Sequence, residues 1–271
     1  MFKILILATL PQEYAPLKKL VPSRFRRICR KPFKKFAFSL PGKEITLVET
    51  GMGEEHIEKA LGWAVGQSKP DLLLFGGFCG GLHTGLRIGD VCIVERAVAY
   101  RASAKESKKM VTFRFPDELR AFLADQNIRS MTAFTIAAPE DKLTLTGCVK
   151  PFSALCEGDG EACLPGVDME THALAGIACR LKLPLLCFRS VSDEVSQELG
   201  FDLDDITGPG GKVKVGKVLS TILIHPGTLQ AFFLAWRRSV KAAGNLCAVL
   251  TALLTAPGDS LNRIARGIRI D

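Results

Sequence analysis

The chain has 271 residues and a formal net charge of +8. Hydrophobic residues make up 47% and charged residues 24%, which is the balance of a soluble globular protein with a sizeable core. No apolar run reaches the roughly 20 residues of a membrane span. The first residues carry no basic region or cleavage site of a signal peptide, so we expect a cytoplasmic protein.

Cysteine spacing and the distribution of charge disfavour a metal-binding protein and a nucleic-acid-binding protein. The nine cysteines form no CxxC pair, which predicts reduced thiols and no metal site. Basic residues concentrate in 24–35 and near the C-terminus. A solvated basic face is the favoured interpretation, because no nucleic-acid-binding motif accompanies the charge. Attraction to anionic lipid headgroups is the other alternative.

The first part of the chain alternates strand-like and helix-like segments. The predicted elements are a buried strand at KILILAT, a helix at EYAPLKKL, a hairpin of FAFSL and EITLVET, a helix at GMGEEHIEKALGWAVGQ and a strand at DLLLFGG. Continuous aliphatic strands between helices predict an α/β fold with a largely parallel sheet.

The later elements are a strand at GDVCIVERAVAY, a polar insertion over 101–126 with one helix near DELRAFLA, a strand at MTAFTIAA, a strand end and helix at VDMETHALAGIACRLKL, and a strand at LLCFRSVSD. Beyond residue 194 the pattern indicates one long helix or two short ones, with a basic stripe. We predict one three-layer α/β/α domain over 1–271, around a mixed, mainly parallel twisted sheet, with a helical C-terminal extension over 195–271.

Unusual residues follow the predicted strands. They are Pro11 to Glu13, Gly51 to Gly53, the glycine segment 76–82 (GGFCGGL), Asp168 to Glu170, and Ser192 to Glu194. Ligands of parallel sheets bind at the carboxyl ends of strands. Taken alone, each carboxylate is explained as an acidic residue at the start of a helix. Taken alone, the glycine segment is explained as a tight exit from a strand, and it lacks the residue pattern of a phosphate-binding loop. Their convergence favours a ligand site.

The residue types suit cleavage of a glycosidic bond. A carboxylate such as Glu170 accepts hydrogen bonds from vicinal hydroxyls of a sugar, and Met169 beside it offers an apolar face. A second carboxyl group protonates a leaving group when burial raises its pKa. Both are needed for an oxocarbenium-like transition state.

At these residues the chain resembles a known family. The stretch VDMETHALAGIACRLKLPLLCFRSVSDE resembles the helix–strand signature of the purine nucleoside/uridine phosphorylase superfamily, and the chain is most similar to its methylthioadenosine/S-adenosylhomocysteine nucleosidase type. The resemblance implies that Glu170 holds the ribose hydroxyls and that Met169 packs on the sugar. It also implies that Asp193 protonates the purine, that Ser192 orients the base and that Glu13 positions the attacking water.

The same resemblance implies that Gly77 and Phe78 of the glycine segment bind the substrate, and it places the backbone of Cys148 and Val149 by the base. Asp168 then supports other groups or faces solvent, and His172 is a helix residue without a catalytic role. The family implies a small nucleoside substrate, no cofactor, no metal, no nucleic acid and a homodimer.

The resemblance leaves open whether the second substrate is water or phosphate. Phosphorylases of this superfamily carry arginines on the first loop and before the glycine segment, where this chain has LPQE and Phe75. Their absence favours hydrolysis, although Arg189 and Arg87 remain candidate phosphate ligands. The alternatives are a phosphorylase that uses phosphate as co-substrate and releases ribose-1-phosphate, and a non-catalytic nucleoside-binding protein.

The C-terminal extension resembles the hopanoid-associated branch of the family, which implies adenosylhopane as substrate. Phe232, Phe233 and Trp236 would then meet lipid, with Arg237 and Arg238 near headgroups. The alternative is that these aromatic residues pack on the core or on a subunit partner. The first interpretation predicts peripheral membrane contact.

Overall fold

The computed structural model describes residues 1–20, 25–100, 108–137, 145–146, 163–197, 207–208, 212–213 and 228–271. The helices in this part of the chain are α1 (Pro11–Leu20), α2 (Glu54–Gln67), α3 (Asp117–Asp125), α4 (Thr171–Leu181), α5 (Thr228–Thr255) and α6 (Gly258–Gly267). The strands are β1 (Phe2–Ala8), β2 (Arg26–Cys29), β3 (Lys34–Leu40), β4 (Lys43–Glu49), β5 (Leu72–Gly81), β6 (Val91–Tyr100), β7 (Lys108–Arg114), β8 (Arg129–Ile136), β9 (Leu164–Asp168), β10 (Leu185–Asp193), β11 (Thr207–Gly208), β12 (Lys212–Val213) and β13 (Arg269–Ile270).

One mixed sheet organises the fold. Strands β4, β1, β5 and β10 lie side by side and run parallel, so their carboxyl ends share one edge. Strand β10 also pairs antiparallel with β6, and β6, β8, β9, β5 and β10 thereby pair in a closed ring. The prediction of an α/β fold with a mixed sheet and a helical C-terminal region is confirmed.

The aliphatic runs predicted as buried strands form the core. Ile4 to Leu7 of β1 and Leu72 to Phe75 of β5 are all buried, because helices cover the central strands. Helix α5 packs against α1, β10 and β5. Its Leu250 lies so close to Gly76 that a Cβ there would be 3.0 Å from the leucine side chain. A larger residue at 76 would therefore push α5 away from the sheet.

Most predicted elements lie where the pattern put them. The hairpin of β3 and β4 turns at Gly42, whose φ of 73° favours glycine. The C-terminal segment forms the single 28-residue helix α5 rather than two short helices. No single helix in the described ranges is long and apolar enough to cross a membrane, whereas α5 from Phe233 and α6, bent by 105°, pass that test as a pair on length and composition only.

Two local predictions were wrong. The glycine segment does not follow the strand as an exit, because β5 continues through Gly81 and pairs with β10 on one side and β9 on the other. The insertion 101–126 contains β7 in addition to the predicted helix. Sequence patterns missed both because pairing with distant strands, rather than local propensity, holds glycine-rich or polar segments in a strand.

Candidate active site

The candidate site lies at the shared edge of the parallel strands. Glu13 follows β1, Gly53 follows β4, and Asp193 ends β10. Strand β9 runs antiparallel to β5, with Val167 opposite Gly80, and brings Glu170 to the glycine segment from the opposite direction. Five predicted site regions, far apart in sequence, are therefore neighbours in the fold.

Glu13 is held rigidly in the first turn of α1. Its buried carboxylate accepts hydrogen bonds from the backbone N–H of Thr9 (2.6 Å), the Thr9 hydroxyl (2.8 Å), the N–H of Leu10 (3.0 Å) and the N–H of Phe78 (3.2 Å). Burial raises the pKa of Glu13, while the bonds from Leu10 and Thr9 and the charge of Arg189 oppose that rise. The bond from Phe78 ties α1 to the glycine segment.

Arg189 is the centre of the site. Its side chain is 1% exposed, and its Nη2 lies 2.5 Å from Asp168 Oδ2 and 3.6 Å from Glu170 Oε2. Its Nε and Nη2 also donate to the Thr171 hydroxyl at 3.1 and 2.7 Å. The guanidinium carbon sits 4.0 Å from the ring centre of Phe75. A buried guanidinium needs such partners, because an unpaired charge in the interior is strongly destabilising.

Gly77 makes room for this arginine. A Cβ at position 77 would overlap Arg189 Nη1 and lie 3.2 Å from Glu13 Oε1. Glycine therefore allows the guanidinium and the Glu13 carboxylate to lie against the backbone of β5. The glycine segment was expected to approach a ligand, and at Gly77 it approaches the side chains of Arg189 and Glu13.

Asp168 is a buried supporting residue. It accepts a hydrogen bond from the Thr135 hydroxyl at 2.7 Å, another from the Thr171 hydroxyl, and a 3.3 Å bond from the Thr171 backbone N–H at the start of α4. Together with its ion pair to Arg189, these bonds exclude the solvent-facing alternative. Asp168 therefore anchors both Arg189 and the first turn of α4.

Glu170 is buried and has one fixed hydrogen bond. Its Oε1 accepts the N–H of Gly53 at 2.8 Å, and Gly53 has a φ of 95° that favours glycine. Burial raises the pKa of Glu170 to about 7, with Arg189 opposing and Asp168 adding to the rise. The carboxyl group therefore changes charge near neutral pH. Its Oε2 lies beyond ordinary hydrogen-bond distance of Arg189.

Asp193 and Ser192 lie at a bulge. Val191 is opposite Cys79 and Asp193 is opposite Gly80, so Ser192 is an extra residue in β10. Bulges redirect side chains at the ends of strands. The Ser192 hydroxyl donates to Asp193 Oδ1 at 2.6 Å, which joins the two predicted base-binding residues. Both lie at the same strand end as Glu13 and Glu170.

The remaining predicted residues are placed as follows. Met169 is partly buried against an apolar cluster that contains Leu82 and Phe134. Phe78 is partly exposed beside Glu13. Cys148 and Val149 lie outside the described residues. In the described ranges no group of three or more His, Cys, Asp or Glu side chains is arranged to hold a metal ion.

Sequence reasoning understated Arg189. It was considered only as a phosphate ligand, yet its charge is taken up by carboxylates of the protein. The signal was an arginine inside the apolar run LLCFRSVSD, because a cation in a buried strand requires acidic partners elsewhere. Those partners are the two carboxylates of VDMETH.

Known proteins resemble this chain in sequence. A family model described as the phosphorylase superfamily matches residues 3–135. The chain is 28% identical over 214 residues to a 5′-methylthioadenosine/S-adenosylhomocysteine nucleosidase of Listeria monocytogenes, covering 74% of this chain and 90% of the relative. A nucleosidase of the same name from Haemophilus influenzae is 25% identical over 237 residues, covering 81% of this chain and 98% of the relative.

Solved structures show the same fold. A Helicobacter pylori 5′-methylthioadenosine/S-adenosylhomocysteine nucleosidase has a TM-score of 0.66 at 18% identity, covering 93% of this chain and 97% of its own. The futalosine hydrolase of the same organism has a TM-score of 0.66 at 17% identity with the same coverage. Together these matches define an enzyme that acts on N-ribosyl bonds. The chain is thus similar in sequence to proteins of the phosphorylase superfamily.

Proposed function

We propose that this enzyme hydrolyses the N-glycosidic bond of a purine nucleoside, and that the substrate is a 5′-substituted adenine nucleoside. The sequence relatives named 5′-methylthioadenosine/S-adenosylhomocysteine nucleosidase support the substrate class. The arrangement of Glu13, Glu170 and Asp193 at one strand edge supports the reaction. The similarity to relatives named as nucleosidases supports an enzyme over the alternative of a non-catalytic binding protein.

The single observation that carries the proposal is the charge around Arg189. Three buried carboxylates, Asp168, Glu170 and Glu13, act on one buried guanidinium. The guanidinium of Arg189 is engaged by Asp168 and by the Thr171 hydroxyl. These partners occupy the cation that would otherwise hold a phosphate anion, whereas a neutral water molecule needs no cation. The site therefore favours hydrolysis over phosphorolysis.

The proposed reaction uses two carboxylic groups in different roles. Asp193, with Ser192 donating to it, transfers a proton to the purine as the bond between C1′ and the base nitrogen breaks. The N–H of Gly53 uses one acceptor position of the Glu170 carboxyl group. The remaining lone pairs of Glu170 accept hydrogen bonds from the ribose hydroxyls. Met169 packs on the sugar. Water attacks C1′, so the products are the free base and the free sugar, and no cofactor is required.

Glu13 is the proposed acceptor of the proton of the attacking water. Its raised pKa suits a base, but its two oxygens already accept four hydrogen bonds, which is the capacity of a carboxylate. Water must therefore replace one of these bonds. The bond from the Phe78 N–H is the longest of the four, at 3.2 Å, so it is the one that water replaces most easily.

A finer proposal concerns the 5′ substituent. We propose adenosylhopane as the natural substrate, because the C-terminal extension carries exposed aromatic side chains at Phe233 and Trp236. This substrate would place a cytoplasmic enzyme at the membrane surface. A homodimer is the assembly we expect.

Chromatography of released adenine tests the function directly. Methylthioadenosine, adenosine and a lipid-substituted adenosine are each incubated with and without phosphate. We expect the same rate of release under both conditions and no ribose-1-phosphate. Release that requires phosphate would establish the phosphorylase alternative, and preference for the lipid-substituted compound would support adenosylhopane.

A further inference from the structure

Helix α5 has two halves of opposite character. From Ala242 onward it contributes buried side chains to the core, for example Leu246 and Leu250. None of the residues from Phe233 to Lys241 is buried. At ~1.5 Å of rise per residue, this exposed stretch is about 12 Å long. The fold therefore presents more than two helical turns to the surroundings.

The exposed half carries an apolar stripe. Phe233 is 54% exposed, Trp236 58% and Val240 52%, and this spacing puts them on one helix face. The rings of Phe233 and Trp236 are 6.1 Å apart, and the guanidinium of Arg237 lies 5.9 Å from the Phe233 ring centre. Two large aromatic side chains thus remain accessible beside a cation. Large exposed apolar groups in one place mark an interaction surface.

Beside this stripe lies a cationic cavity of about 550 Å³. The described basic residues that line it are Arg87, Arg237, Arg238 and Lys241. Glu194 is the acidic residue in that lining, and it pairs with Arg87 at 3.2 Å. Arg237, Arg238 and Lys241 form no ion pair with a carboxylate in the described ranges. Their charges are available to an anionic partner.

We propose that Phe233, Trp236, Val240, Arg237, Arg238 and Lys241 form a docking surface for an anionic lipid bilayer. A bilayer interface accepts aromatic rings at the level of the headgroups, while lysine and arginine contact the anionic groups. A second copy of the chain fits this surface poorly. A two-fold contact would set the same cations against each other, on a chain with a net charge of +8.

The surface lies next to the candidate active site. Glu194 lines the cationic cavity and directly follows Asp193, the proposed general acid. A bilayer docked on α5 would therefore lie beside the end of β10. In this respect the inference rests on the proposed function, since it implies a substrate whose 5′ substituent is an apolar group anchored in lipid.

Vesicle flotation of the full chain tests the surface. We expect binding to phosphatidylcholine vesicles that contain phosphatidylserine, weaker binding to pure phosphatidylcholine, and a decrease with salt. Replacing Arg237→Gln and Arg238→Gln together should lower the partition coefficient roughly thirtyfold. Phe233→Ser with Trp236→Ser should abolish flotation. The matched controls are Lys19→Gln with Lys69→Gln, two exposed cations elsewhere, and Ile28→Ser, an apolar residue that is 54% exposed.

Three outcomes would overturn the inference. They are no flotation of the wild type, equal losses in the α5 and control variants, and α5 variants that lose self-association in sedimentation velocity while still floating. Release of adenine from soluble methylthioadenosine is measured in parallel and should be unchanged in the α5 variants. Normal flotation without turnover of any nucleoside would contradict the proposed function but not the docking surface.

Discussion

The arginines of this protein occupy two contrasting environments. Arg189 is 1% exposed and touches two carboxylates, a hydroxyl and an aromatic ring. Arg237 and Arg238 lie on the outer part of α5, beside exposed aromatic side chains and without a carboxylate partner in the described ranges. Both environments lie close to the end of β10. Only Arg189 has its partners supplied by other segments of the fold.

The difference follows from the cost of removing a charge from water. A buried guanidinium must have its partners in place before any ligand arrives, so the side chains around Arg189 are already ordered for chemistry. An exposed guanidinium keeps its hydration and needs no partner in the folded chain. The site near Arg189 therefore suits a reaction with fixed geometry, and the outer part of α5 suits reversible contact with a charged surface.

The largest effect is expected for the proposed general acid. Asp193→Asn removes the proton donor but keeps the size of the side chain, so kcat should fall by about 10²–10⁴-fold with little change in nucleoside binding. Stopped-time adenine assays and equilibrium binding measure the two quantities. Ser196→Ala, close in sequence but beyond β10, serves as the control. Near-wild-type turnover of Asp193→Asn would show that the proton comes from another group.

Breaking the buried charge cluster should cost stability. Arg189→Met leaves Asp168 and Glu170 without their cation, and the free energy of unfolding should fall by about 3–5 kcal/mol. Urea denaturation measures the loss, with Arg237→Met as the matched exposed control, for which we expect a change within about 0.5 kcal/mol. Similar values for both variants would contradict the contrast between the two environments.

The pKa of Glu170 makes stability depend on pH. Because the folded pKa, about 7, lies above the ordinary glutamate value of 4.5, the folded chain retains a proton that the unfolded chain releases between these pH values. Relative to Glu170→Gln, the wild type should therefore lose about 3 kcal/mol between pH 4.5 and 7. Urea denaturation of both proteins across this range measures the difference. A difference that does not vary with pH would mean that folding does not shift the pKa of Glu170.

The same variant tests whether Glu170 binds the ribose, and the expected effect is smaller. Glu170→Gln should weaken binding of a riboside by about tenfold, the value of roughly one charge-assisted hydrogen bond, and leave binding of free adenine nearly unchanged. Isothermal titration with both ligands measures this. Equal weakening for the two ligands would place Glu170 away from the sugar.

Much of the fold was predictable because it depends on local patterns. Continuous aliphatic runs are buried as strands wherever helices cover both faces, as in β1 and β5. Gly42 and Gly53 mark positions that require positive φ. The convergence of Glu13 and Asp193 also followed, because the parallel strands β1, β5 and β10 end at one edge. Glu170 reaches the same place from β9, which runs antiparallel to β5. Their individual roles in catalysis stay predictions.

Other features depended on contacts between distant segments. The glycine segment lies in β5 because β9 and β10 pair with it, and nothing in GGFCGGL itself favours a strand. Asp168 is buried because Arg189, Thr135 and Thr171 surround it.

The sequence alone thus determined which segments form the sheet and which strand ends carry carboxylates, because burial and turn chemistry act over a few residues. Only the tertiary structure decided that Arg189 balances Asp168 and Glu170, and that Gly77 leaves space for it. Charge pairing and close packing are properties of atoms brought together from separate strands. No local pattern records which of them will meet.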